Sequence, residues 1–172
     1  MKPPAASTTR SGDPDAWRIT LEGLPAFPVH YDEGLKVGYK WYDAENKQVL
    51  FPFGYGLSYT TYEYSNLKVT PGDRFRIAFT VKNSGARAGA EIAEVYAALP
   101  VSAAEPPKRL VGWSKTELKA GESREVSVEV DPLYLSVFHA ERNRWQLIPG
   151  DYTFLVGGSS GNLPLKETVH VK

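Results

Sequence analysis

The chain has 172 residues, 42% of them hydrophobic, and its 20 Lys+Arg balance 20 Asp+Glu to a formal net charge of +0. That length holds one full domain with some extra, and the neutral balance removes the electrostatic footprint of a nucleic-acid or anionic-membrane binder. No apolar run approaches the roughly 20 residues of a membrane helix, and with Cys 0 there is no disulfide framework, thiolate zinc site or cysteine nucleophile.

In chain order, three zones emerge. Residues 1–17, MKPPAASTTRSGDPDAW, are rich in Pro, Ser, Thr and Asp. They contain a lysine but no apolar h-region, so they read as a disordered or linker-like arm and not as a secretory signal. Residues 18–63 mix short apolar runs with clustered aromatics, Gly and Pro. Such a stretch has few partners of its own and is expected to lie, extended, along another surface.

Residues 64–172 become regular. DRFRIAFTVKN alternates, placing Phe75, Ile77, Phe79 and Val81 on one face and Arg74, Arg76, Thr80 and Lys82 on the other, the pattern of a half-buried strand. NSGARAG supplies turn chemistry, AEIAEVYAAL a second strand, and RLVGWSKTEL a third after the proline-marked loop VSAAEPPK. After the turn KAGES, REVSVEV points Val126, Val128 and Val130 inward. In DPLYLSVF, Asp131 suits an N-cap and Pro132 the first helical position, so a single helical turn is expected. RWQLIPGDYTFLVGGSSGNLPLKETVHV returns to strands, with turns at PGD and GGSSGN and Tyr152, Phe154 and Val156 inward. Short strands about 8–12 residues apart, with no long helix, predict a mostly β, antiparallel β-sandwich.

YDEGLKVGYKWYDAENKQVLFPFGYGLSYTTYEYSNLKV closely resembles the segment that ends the second catalytic-region domain of family 3 glycoside hydrolases, the β-glucosidase/β-xylosidase group. FTVKNSGARAGAEIAEVYAA, KRLVGWSKTELKAGES and DPLYLSVFHAERNRWQLIPGDYTFLVGGSS resemble the fibronectin type III-like, immunoglobulin-type sandwich that follows in that family. The resemblance runs from about Val29 to Val171, with several motifs in the family's order. It implies that the nucleophile aspartate, in a Ser-Asp-Trp-like context on a (β/α)8-type barrel, and the general-acid glutamate of an α/β domain lie elsewhere. No Ser-Asp-Trp occurs here. The chain is therefore expected to be inactive alone, as a fragment, a separate subunit or a shortened form. Its expected role is to support the catalytic barrel and α/β domains by packing against them. The open alternatives are a carbohydrate-binding module that contacts an oligo- or polysaccharide, and the small subunit of a split hydrolase. The resemblance implies a periplasmic or secreted parent enzyme; no cofactor is expected, and the neutral charge and lack of a long apolar run leave neither nucleic acid nor membrane as an expected partner.

Individual residues weigh in the same direction. A retaining glycosidase needs two carboxyl groups about 5–5.5 Å apart. Asp32 and Glu33, the best local candidates with Asp43 and Glu45 behind them, would point opposite ways on an extended chain. His30, His139 and His170 are scattered, without metal-ligand spacing. DAENKQ lacks the glycine and terminal glutamate of a calcium loop. FGYGLS and GGSSG lack the strand–turn–helix context of a phosphate cradle or nucleophile elbow. The aromatics are the serious candidates. Trp41, Tyr42, Phe53, Tyr55 and Tyr59 are expected either to anchor the segment between domains or to stack on sugar rings. Anchoring is favoured because tyrosine joins an apolar body to a hydroxyl that finds a partner, and Gly54 and Gly56 allow close backbone approach.

Overall fold

The computed structural model describes residues 31–172; the expectations for residues 1–17, for 18–30 and for His30 fall outside them. Among the described residues the order is α1 (Tyr39–Ala44), β1 (Tyr62–Thr70), β2 (Phe75–Asn83), β3 (Gly89–Ala98), β4 (Arg109–Leu118), β5 (Ser123–Val130), β6 (Val137–His139), β7 (Arg144–Gln146), β8 (Gly150–Gly157) and β9 (Leu165–Val171). No helix among them is long and apolar enough to cross a membrane.

The strands form a three-stranded sheet β1-β2-β5 and a four-stranded sheet β4-β3-β8-β9, every pairing antiparallel. This is the expected mostly β sandwich, and the alternation read from the sequence builds its core. Phe75, Ile77 and Phe79 of β2 pair with Val130, Val128 and Val126 of β5, all six buried. Tyr152, Phe154 and Val156 of β8 face them from the other sheet, and the Phe75 and Phe154 rings lie 5.7 Å apart. Apolar burial of this kind is the main force holding two sheets together.

Local polar chemistry fixes the corners. Asp131 caps a 3-10 turn at Pro132–Leu135, its Oδ1 accepting the Leu133 N–H at 2.9 Å. A bulge between Ser65 and Lys68 in β1, with Asn66 at φ 56°, breaks the ladder. Beyond it the Val69 N–H donates to Glu167 of β9 at 3.0 Å, tying the two sheet edges together. Asn83, fully buried where β2 ends, donates to the Arg87 and Leu118 carbonyls and accepts from Thr60 Oγ1 at 2.6 Å and Gly85 N. A buried amide so fully satisfied specifies one geometry.

Two elements depart from the sequence expectation. The arm ahead of the sandwich is largely irregular but contains the six-residue helix α1. After the 3-10 turn the chain forms the small hairpin β6–β7, whose Phe138 and Trp145 pair edge to face at 5.5 Å.

Candidate functional site

In β3, Ala93, Val95 and Ala97 belong to the core, so Glu94 and Tyr96 point to the opposite face. A half-solvated strand would expose them, yet they are 6% and 0% accessible. Their cover is the segment from Tyr39 to Thr60, which crosses the outer face of the four-stranded sheet.

Three attachments hold the segment. Tyr39 and Asp43 are four residues apart in α1 and so share one helix face. The Tyr39 hydroxyl accepts the Leu110 N–H at 2.7 Å, and Asp43 pairs with Lys108 at 2.6 Å. The Tyr39 ring meets Tyr96 edge-on at 5.7 Å and Phe53 at 5.4 Å. Next comes a turn in which the Tyr55 N–H donates to the Pro52 carbonyl at 3.0 Å, while the Ser160 N–H donates to the Phe53 carbonyl at 2.8 Å. Gly54 occupies that turn at φ 82°, directly over Glu94, where a Cβ would collide with the carboxylate. Only glycine meets both demands. Finally, Thr60 docks on Asn83 and the Ser84 N–H donates to the Thr61 carbonyl at 2.9 Å.

Glu94 lies beneath this cover, whereas Glu91 stands on the core-facing side of β3, in line with Ala93 and Val95. Glu94 Oε2 accepts from the Tyr96 hydroxyl at 2.7 Å, and Glu91 Oε1 accepts from the Tyr64 hydroxyl at 2.6 Å. Burial raises the pKa of both carboxyls, only partly offset by these hydrogen bonds, and the charge of Glu91 raises that of Glu94 further. Burial and the neighbouring carboxylates push both tyrosines up as well. Because Glu94 holds its proton more tightly folded than unfolded, its favourable contribution is full below its ordinary carboxyl range and is lost as pH rises through the raised folded value. Glu94→Gln keeps an acceptor for Tyr96 but cannot ionise. The melting temperature of this variant relative to wild type is therefore expected to climb from pH 4 to 7 on a thermal-unfolding series. A difference that stays flat across that range would show that Glu94 ionises at no cost.

The five aromatics singled out from the sequence divide by environment. Trp41 is half-buried, edge-on to Tyr42 at 5.0 Å, with the Lys47 ammonium 4.1 Å from its ring centroid. Phe53 and Tyr55, each 50% exposed, turn one side to the protein and the other to solvent, while Tyr59 is 91% exposed. Tyr42 is exposed too, as are Leu50, Phe51 and Leu57. Gly56, unlike Gly54, has open space around it. Asp32 and Glu33 fall in a turn and not on extended chain; Glu45 pairs with Lys36 at 2.7 Å. His170 meets Asp151 at 2.7 Å, and His139 lies apart from it. Among the described residues no group of three His, Cys, Asp or Glu could hold a metal ion. Sequence reasoning missed Tyr39, Glu94 and Tyr96. The available signal was the run AEVYA, in which a glutamate and a tyrosine stand at outward strand positions amid small apolar residues.

Residues 91–160 match the family model for the fibronectin type III-like domain. A putative β-glucosidase of Schizosaccharomyces pombe is 43% identical over 81% of this chain and 18% of its own length. Thermostable β-glucosidase B of Acetivibrio thermocellus is 38% identical over 83% of this chain and 20% of its own. The chain thus spans about a fifth of the length of these curated relatives. Among solved structures, DesR, a β-glucosidase from Streptomyces venezuelae in complex with D-glucose, superposes with a TM-score of 0.77 at 38% identity, covering 83% of this chain and 19% of that one. β-Glucosidase 3B from Thermotoga neapolitana, in complex with α-D-glucose, gives 0.77 at 40% identity, covering 81% and 20%. The sandwich is a fibronectin type III-like domain, and the chain belongs with the carboxy-terminal region of the family 3 β-glucosidases.

Proposed function

We propose that this chain is a non-catalytic support for the catalytic barrel and α/β domains of a family 3 β-glucosidase, and that the segment around Phe53–Tyr59 is the edge on which those domains dock. In this reading residues 18–63 are the tail of the α/β domain and the interdomain connection, and the sandwich begins near residue 64. The carrying observation is a row of exposed apolar side chains, Leu50, Phe51, Tyr55, Leu57 and Tyr59, on a segment pinned to a rigid sandwich. Exposed apolar surface of this kind marks an interaction site, and a pre-ordered backbone lowers the entropy cost of binding. The relatives' greater length supplies the partner class. Stacking on sugar is less well served, because the neighbouring Phe51 and Tyr55 rings are tilted by 35° and form no flat platform.

The test is association between this chain and the catalytic portion of a family 3 β-glucosidase that lacks its own sandwich, followed by calorimetry. Tyr55→Ala and Tyr59→Ala are expected to weaken binding by about tenfold or more, as loss of an aromatic anchor does. Retardation of the chain in a β-glucan or xylan gel, abolished by Tyr55→Ala while association with the catalytic portion is untouched, would replace docking with sugar binding.

A further inference from the structure

Between the docking segment and the sandwich lies an open groove of about 640 Å³, with Tyr55, Tyr62, Tyr64, Glu91, Ser58 and Asn162 among its lining residues. Its lining contains a carboxylate but no Lys, Arg or His. That imbalance sets Glu91 apart from the other part-buried acids of the described chain. Asp43, Glu105, Glu122 and Asp131 each meet a cation, and Glu167 accepts a backbone N–H. Glu91 has a single tyrosine hydroxyl, and among the described residues no cation pairs with it or with nearby Glu94. The Tyr62 hydroxyl, also on this groove, is buried without a hydrogen-bond partner.

A carboxylate removed from water without a counter-charge is costly. Aromatic faces beside it favour a delocalised cation over a compact ammonium. We propose that this groove is a socket for an arginine side chain carried by the catalytic portion, which enters when the two dock. The guanidinium meets the Glu91 carboxylate, and its plane lies against the tyrosine rings. The socket rests on the docking reading and adds to it a specific polar contact beside the apolar row. Such a contact selects the partner and fixes its orientation, which apolar burial alone does not.

The decisive measurement is a titration of the ¹⁵N-labelled 172-residue chain with N-acetyl-arginine amide, with N-acetyl-citrulline amide and methyl β-glucoside as comparison ligands. Arginine amide is expected to give saturable shifts at the amides of residues 54–58, 91 and 158–162, and citrulline none. Glu91→Gln, which still offers Tyr64 an acceptor, is expected to weaken arginine binding by about tenfold, the usual loss when a charged hydrogen-bond partner becomes neutral. Tyr55→Ala, on the surface and harmless to the core, is expected to weaken it as well. Absence of saturable shifts, an equal response to citrulline, or saturable binding of the glucoside at the same amides would overturn the socket. Association with the catalytic portion separates the two readings. If Tyr55→Ala weakens docking and Glu91→Gln does not, the socket falls and docking stands. If neither variant matters, docking falls, and the socket for an arginine of the catalytic portion falls with it.

Discussion

Phe79→Ala is expected to cost about 3–5 kcal/mol of folding stability, the range for truncating a core phenylalanine. Phe79 lies in the middle of β2, the central strand of the three-stranded sheet, at 1% exposure. It pairs with Val126 of β5, and its ring is 6.4 Å from that of Tyr64 in β1. Three strands therefore depend on one side chain, and the cross-strand pairs on either side, Ile77 with Val128 and Val81 with Arg124, keep the backbone from closing over the space. The residual cavity adds its own penalty to the lost transfer energy. Domains of this size hold about 5–15 kcal/mol in all, so the variant should melt on the order of 10–20 °C lower. Urea unfolding provides the check: a midpoint shift equivalent to less than about 1.5 kcal/mol, the usual limit for a volume-conserving change, would mean that this ring is not a keystone of the core.

Gly54→Ala is expected to act in a different place, loosening the docking segment while leaving the sandwich folded. The substitution adds strain twice over. A non-glycine residue in a sparsely populated backbone region costs about 1–3 kcal/mol, and Gly54 sits at φ 82°. The new Cβ also meets the Glu94 carboxylate, which its hydrogen bond to Tyr96 holds in place, and overpacking of this kind costs a further 1–3 kcal/mol or so. Relief comes most readily by lifting residues 51–56 off the sheet. Hydrogen exchange should show it: the Ser160 N–H loses its acceptor, the Phe53 carbonyl, and exchanges faster, while core amides in β2 and β8 keep their protection. Association with the catalytic portion should fall in parallel. Unchanged protection at Ser160 would mean that the turn tolerates a side chain, and that close approach at Gly54 is not what seats the segment.

Much of the architecture was legible before any coordinates. The period-two alternation at 75–81, 126–130 and 152–156 forced one face of each strand inward, because slipping by a residue would send every apolar side chain to solvent. Turn chemistry at NSG, PGD and GGSSGN separated the strands, and Asp131 followed by Pro132 announced the capped turn found at Pro132–Leu135. These signals are local, carried by residue type and spacing, so the sequence by itself determined a mostly β sandwich and which face of these strands turns to its core. It also carried the family motifs that the comparisons bear out.

The cover over the outer sheet was decided only by tertiary structure. A six-residue helix is too short to persist alone, since helix nucleation is costly and isolated helices below about 12–15 residues are marginal. α1 has no side-chain cap and is held instead by Tyr39 to Leu110, 71 residues away, and by Asp43 to Lys108, 65 residues away. The three-residue strand β6 falls at the end of a stretch read as a helical turn and has too short a period to register as a pattern; its pairing with β7 sets Phe138 against Trp145. Glu94 and Tyr96 stand at outward positions that alternation assigns to solvent. Their burial follows from a separate stretch of chain laid over them, and the space that admits it is the side chain Gly54 lacks. Periodicity reports which side of a strand faces its own sheet's partner; it contains no term for a second layer arriving from elsewhere in the chain.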